Sequence, residues 1–131
     1  MKVIYIAGPY RAETDWEIEK NIREAEMLAI AVWSYGFVAL CPHKNTAHFG
    51  GILPDESWLK GDLELLIRCD AVLLTKHWRF SSGAKRERLE AIARGIPVFE
   101  NLQELIDHFV EEDRNARIRL ETSTHTEEIQ E

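Results

Sequence analysis

Four short apolar runs recur along the chain: Val3-Ile4-Tyr5-Ile6, Phe37-Val38-Ala39-Leu40, Ala71-Val72-Leu73-Leu74 and Ile96-Pro97-Val98-Phe99. Amphipathic stretches separate them, and this alternation constrains the fold more than any other feature. A strand that is apolar at successive positions has to be covered on both faces, and helices are the elements able to cover it. Strands joined through helices run parallel, with right-handed crossovers. Ile18, Ile22, Ala25, Ala29 and Val32 stand at helical spacing, with Asp15 placed to cap that helix and Gly36 to end it. Trp58, Leu59, Leu63, Leu66 and Ile67 mark the apolar side of a second helix over 55–68. Further helices are expected over 83–94 and 101–110.

The expected architecture is therefore a single doubly wound α/β domain, flavodoxin- or Rossmann-like. Its parallel sheet should have about four or five strands. The 131 residues suit one such domain, placed at 1–110. Beyond Val110 the apolar periodicity fades, and 111–131 is expected to be an acidic, mobile C-terminal tail. That segment holds seven acidic and three basic residues, so it carries −4 of the total formal charge of −7.

An acidic balance disfavours a nucleic-acid polymer as partner. No apolar run approaches the ~20 residues of a membrane helix, and the N-terminus reads as a first strand, not a signal peptide. Two cysteines, Cys41 and Cys69, make no disulfide framework and suggest a reducing, cytoplasmic setting. Cys41 and His43 with His48 lack a fourth ligand, so no metal site is expected. His43, Asn45 and His48 are better read as shaping a loop over the ligand crevice. There is no Walker sequence, no Gly-x-Gly-x-x-Gly after the first strand, and no acidic cluster of a phosphoacceptor domain.

In open sheets of this kind, ligands bind beyond the carboxyl ends of the strands, where the strand order reverses. With a strand order of 2-1-3-4, the crevice is flanked by Gly8-Pro9-Tyr10-Arg11 and by the loop running from Lys76 to Ser81-Ser82-Gly83. Serine hydroxyls and free amides at the start of a helix make an anion site. Glu87, one turn into that helix, can reach the same crevice, and Asp62 is an acid inside the second helical stretch. Each feature also has an ordinary explanation. Ser82 is a helix cap, Glu87 closes a capping box or faces solvent, and Asp62 is a surface acid. Gly61, beside Asp62, permits a close approach of ligand or backbone. Tyr5 fits a buried core position, and Trp78 and Phe80 either stack on a base or simply pack.

Taken together, Ile4-Tyr5-Ile6-Ala7-Gly8-Pro9, Asp62-Leu63, and Ser82-Gly83-x-x-x-Glu87 before Gly95-Ile96-Pro97 resemble the nucleoside 2-deoxyribosyltransferase superfamily. That superfamily includes the 2′-deoxynucleoside 5′-phosphate N-hydrolases and small bacterial and phage relatives. The likeness covers about residues 2–100, and its specific part is the spacing: four residues from Gly83 to Glu87 and eight from Glu87 to Gly95.

The resemblance implies Glu87 as the nucleophile at the anomeric carbon, Tyr5 as the residue that positions it, and Asp62 as the acid that handles the base. Transferases acting on nucleosides usually carry an aspartate where this chain has Ser81. The monophosphate hydrolases place a serine there and a phosphate-binding arginine at the position of Arg11. The chain thus looks more like the hydrolase branch, although Lys85-Arg86-Glu87-Arg88 is more basic than the family norm. Gly8, Pro9, Tyr10, Ser82 and Gly83 complete the expected substrate contacts. The implied function is cleavage of the N-glycosidic bond of a nucleoside 5′-monophosphate, without cofactor, by a homodimer or larger homo-oligomer. Base exchange between nucleosides is the alternative within the family. A non-catalytic nucleotide sensor and a plain interaction domain are the alternatives outside it.

Overall fold

The computed structural model describes residues 1–130, with side chains as far as Thr124. Four strands, β1 (Val3–Ala7), β2 (Val38–Leu40), β3 (Ala71–Leu74) and β4 (Val98–Phe99), form one parallel sheet in the order β2-β1-β3-β4. The helices are α1 (Asp15–Ser34), α2 (Pro42–Asn45), α3 (Asp55–Leu66), α4 (Ser82–Ala93) and α5 (Leu102–Gln130), and a 3-10 turn spans Trp78–Phe80. The doubly wound α/β architecture expected from the alternation is therefore the one observed.

The two faces of the sheet follow from the two-residue period of a strand. Ile4, Ile6, Ala71 and Leu73 point to one side and pack with Ala25, Ala29 and Val32 of α1 and Leu105 and Phe109 of α5. Tyr5, Ala7, Val72 and Leu74 point to the other, against Leu66 of α3, Ala84 and Ala91 of α4, and Trp78. This parity sets where chemistry can occur: Tyr5 faces the α3/α4 layer, the layer that carries Asp62 and Glu87. The order places the reversal between β1 and β3. Here Thr75 N donates to Ala7 O at 2.8 Å. Gly8 packs so tightly on Thr75 that a Cβ at Gly8 would fall 2.0 Å from Thr75 Oγ1.

Several local readings are corrected. Thr14, not Asp15, caps α1: its hydroxyl accepts from Glu17 N at 3.1 Å, and Asp15 lies in the first turn. Both residue types suit a cap, and the backbone there is extended at Thr14. Gly36, at φ +87°, follows α1 as expected. The loop after β2 contains the short helix α2, with Pro42 at its start. The last helix does not stop at Val110. It runs on through the acidic segment, which lacks the apolar stripe used to find helices and also lacks any glycine or proline to end one.

Gly61 does not mark a close approach either. It sits inside α3, and a Cβ there would meet nothing within 4 Å. Gly61→Ala should therefore stabilise the protein by roughly 0.5–1 kcal/mol, by removing the entropic cost of an interior helical glycine. A higher urea midpoint with an unchanged slope checks this.

Candidate active site

A cavity of about 540 Å³ opens at the carboxyl ends of β1 and β3. Its walls are the loop after β1, α2, the first turns of α3 and the N-terminus of α4. Of the residues singled out in the sequence, Gly8, Tyr10, Arg11, Asp62, Ser81, Ser82, Gly83 and Glu87 line it. Two do not. Pro9 turns its carbonyl away to His43, and Tyr5 lies beneath the lining with its whole side chain buried.

Glu87 reaches the cavity because α4 buries every third or fourth residue on the sheet: Ala84, Glu87 and Ala91 form that stripe. A carboxyl on a helix's buried face is costly, and Glu87 is only 8% exposed. Burial pushes its pKa up to about 8, and the charge of Asp62 adds to the rise, while the Tyr5 hydroxyl works against it. Asp62, half-buried on α3, is raised to about 6 by burial. The Tyr5 phenol is raised further out of reach by burial first, then by the Glu87 and Asp62 charges, so it acts only as a neutral donor. Its hydroxyl adjoins the Glu87 carboxyl, but no full hydrogen bond closes on it. The contact is an approach in which only Tyr5 can donate when Glu87 is ionised.

The cavity walls are stitched by polar contacts. His43 Nε2 faces the carbonyls of Gly8 at 3.1 Å and Pro9 at 2.9 Å, so this nitrogen carries the proton. Burial lowers the His43 pKa, which keeps the ring neutral. The Tyr10 hydroxyl accepts from His48 N at 2.9 Å, and Tyr10 O accepts from Asn21 Nδ2 at 3.1 Å. Arg11 lies over the Tyr10 ring and pairs with Asp55. Ser81, not Ser82, caps α4: its Oγ accepts from Ala84 N at 3.0 Å. Ser82 is the first helical residue, and Glu87 belongs to no capping box because the third helical position is Ala84.

The two aromatic candidates separate. Phe80 lines the cavity and is 86% exposed, free to cover a planar ligand. Trp78 is buried and packs, with Arg79 and Arg88 over its ring and its Nε1 donating to Glu100. The sequence reading missed Trp58, Asp55, Glu56 and Arg86 as lining residues. Trp58, on the apolar side of its helix by spacing, lines the cavity with its indole nitrogen buried and unpartnered. The unusual basicity around Glu87 was the only signal for Arg86.

The Glu87 shift links pH to stability. The unfolded chain ionises this group above the ordinary value of 4.5, and the folded chain only near 8. The neutral form's contribution is therefore complete below about pH 4.5 and is lost as pH rises through about 8. Glu87→Gln, which cannot ionise, should melt several degrees above the wild type at about pH 9. The gap should close by about pH 5 in matched thermal melts.

Solved structures share this fold, two of them as follows. A 2-deoxyribosyltransferase from the psychrotolerant bacterium Bacillus psychrosaccharolyticus superposes with a TM-score of 0.54 at 23% identity, over 79% of each chain. A conserved protein from Enterococcus faecalis V583 gives 0.60 at 21% identity, over 75% of this chain and 61% of that one. No curated protein matches by sequence. Residues 2–101 match a family profile described as a domain of unknown function, DUF7768, and the chain belongs to that family.

Proposed function

We propose that this protein cleaves the N-glycosidic bond of a nucleoside 5′-monophosphate as an N-glycoside hydrolase of the nucleoside 2-deoxyribosyltransferase superfamily. The reading rests above all on the Glu87 carboxyl, sunk at the cavity wall beside Asp62 with Tyr5 behind it. The fold shared with a 2-deoxyribosyltransferase supports it. Residues 1–110 are the catalytic unit in this reading, with 111–131 an acidic appendage.

The chemistry needs an anion and an acid together. The Glu87 carboxylate attacks the anomeric carbon as the carbon–nitrogen bond breaks, through an oxocarbenium-like state. The bond's electron pair goes to the base, which takes a proton from Asp62. Water then attacks the glycosyl ester, the Asp62 carboxylate takes a proton from that water, and Glu87 is released. Tyr5 donates to Glu87 and favours the ionised form the attack requires. Arg11, Ser81 and the amides of Ser82 and Gly83 hold the phosphate, and Gly8 and Tyr10 shape the adjoining wall.

The two carboxyls share one proton between about pH 6 and 8. In the free site that proton rests mainly on Glu87, while the reaction uses the arrangement with the proton on Asp62. The Glu87 shift already includes the lowering by Tyr5, so in this reading substrate binding has to supply that transfer. Below this window both groups are protonated and the nucleophile is lost; above it both are ionised and the acid is lost. The expected kcat/KM profile is a bell with limbs near 6 and 8. Asp62→Asn should flatten the alkaline limb and lower kcat by roughly 10²–10⁴-fold.

Base exchange is the second reading, favoured by the fold neighbour being a transferase. In that case another base, not water, intercepts the ester. The site serves a small-molecule nucleotide or nucleoside, and no nucleic-acid polymer or membrane enters the reading. The exposed Met27, Ile30 and Trp33 of α1 and Leu89 and Ile92 of α4 offer apolar surface for a homo-oligomer. Free Cys41 and Cys69 accord with a cytoplasmic setting.

Nucleosides and their 5′-monophosphates, ribo- and deoxyribo-, incubated with the protein and scored for free base by chromatography, test the proposal. Release from monophosphates, abolished in Glu87→Ala, supports the hydrolase. Exchange on unphosphorylated deoxynucleosides, seen only with an added acceptor base, selects the transferase. Saturable binding without turnover across the panel overturns both and leaves a nucleotide sensor.

A further inference from the structure

Two arginines from different elements line the cavity, and both are paired with the first turn of α3. Arg11, from the loop after β1, pairs with Asp55. Arg86, from α4, makes a two-pronged contact with Glu56, at 3.2 Å from Nη2 to Oε1 and 3.4 Å from Nη1 to Oε2. All four side chains line the cavity. With Asp62 and Glu87, the lining residues carry four carboxyls against two guanidiniums, and each guanidinium already has a carboxylate partner.

A pocket arranged in this way either rejects anions or exchanges its own carboxylates for the ligand's. Three observations favour exchange. The ion pairs are half exposed, with Arg86 and Glu56 at 48% and 54%, so they are cheap to break. A phosphate offers a guanidinium more oxygens and up to twice the charge of a carboxylate, in geometry suited to a bidentate fork. The carboxylates left behind remain at the first turn of α3, where water reaches them and the helix dipole favours negative charge.

We propose that Arg86 is a second guanidinium, besides Arg11, for the substrate's phosphate, and that Glu56 is its resident counterion, displaced when the phosphate binds. The proposal deepens the hydrolase reading and rests on it for the nucleotide, although the phosphate subsite itself can be tested without turnover. Glu56 then tunes specificity with opposite sign to Arg86. It weakens phosphate binding by competing for the same guanidinium, and an arginine lost from the mouth weakens binding directly.

Calorimetric titration of the full chain with inorganic phosphate, beside kcat/KM for a 5′-monophosphate, tests this. Arg86→Gln should weaken phosphate binding about tenfold or more, with Arg86→Lys between it and the wild type. Glu56→Gln should strengthen binding about two- to fivefold. Glu64→Gln removes the same charge from the same helix, at a residue paired with Arg68 and outside the lining, and should leave binding within about twofold. A merely structural Arg86–Glu56 pair would move both variants the same way. Changes of like sign, no change, equal effects of Glu56→Gln and Glu64→Gln, or no phosphate binding by the wild type each overturn the proposal. Base release with unaltered phosphate affinities defeats this inference alone. Opposite-signed affinities without any base release defeat the hydrolase reading and leave the phosphate subsite standing.

Discussion

Burial of the Glu87 carboxyl is the constraint around which the rest of the site is arranged. A helix that packs on a sheet normally fills its buried stripe with apolar groups, as α4 does at Ala84 and Ala91. Glu87 breaks that stripe, and its removal from water disfavours the charged form. The fold tolerates the cost because both layers are closed by clusters of buried side chains that do not include it. The small residues on either side let α4 approach the sheet closely, which brings the carboxyl up to the Tyr5 phenol. Carboxyls perturbed by burial in a cleft are candidates for a functional site, and here two stand together with different shifts.

What the sequence disclosed and what it concealed divide along a physical line. The strands and their parallel direction follow from apolar runs joined through helices, which survive in a linear string. The face on which Tyr5 lies is fixed only once α3 and α4 are placed against the sheet. The local signals were weaker because alternatives of equal chemistry stood side by side. Thr14 and Asp15 are both good caps, as are Ser81 and Ser82, and only the extended backbone at the first of each pair decides. Trp58 reads as apolar packing and Trp78 as either a stacking or a packing residue, yet the tertiary fold sends the first to the cavity and the second beneath two arginines. The continuation of α5 beyond Val110 carries no apolar stripe, so hydrophobic periodicity could not report it. Gly61 shows the reverse error, a residue given meaning because it stood next to Asp62.

The ion pairs at the mouth were illegible for a further reason. Arg86 and Glu56 are 30 residues apart and Arg11 and Asp55 are 44 apart, so nothing local couples them. They meet because α3 and α4 lie side by side on the same face of the sheet and the loop after β1 curls over the start of α3. In this family of folds the strands' carboxyl ends gather loops from distant parts of the chain, which is why the site is assembled by topology.

The division of labour between depth and mouth then follows from dielectric. At the inner wall of the cavity, buried Glu87 adjoins half-buried Asp62 and the Tyr5 phenol beneath it, where loss of water strengthens their interactions. At the mouth, water screens Arg11, Arg86 and their carboxylate partners, so those pairs exchange readily and contribute little to stability. On the proposed reaction, an anionic substrate would meet the exchangeable charges first, and its own charge near the acidic pair would oppose ionisation there and so hold a proton on that pair. In the same proposal Tyr5, able only to donate, favours the ionised form of Glu87 over that of Asp62.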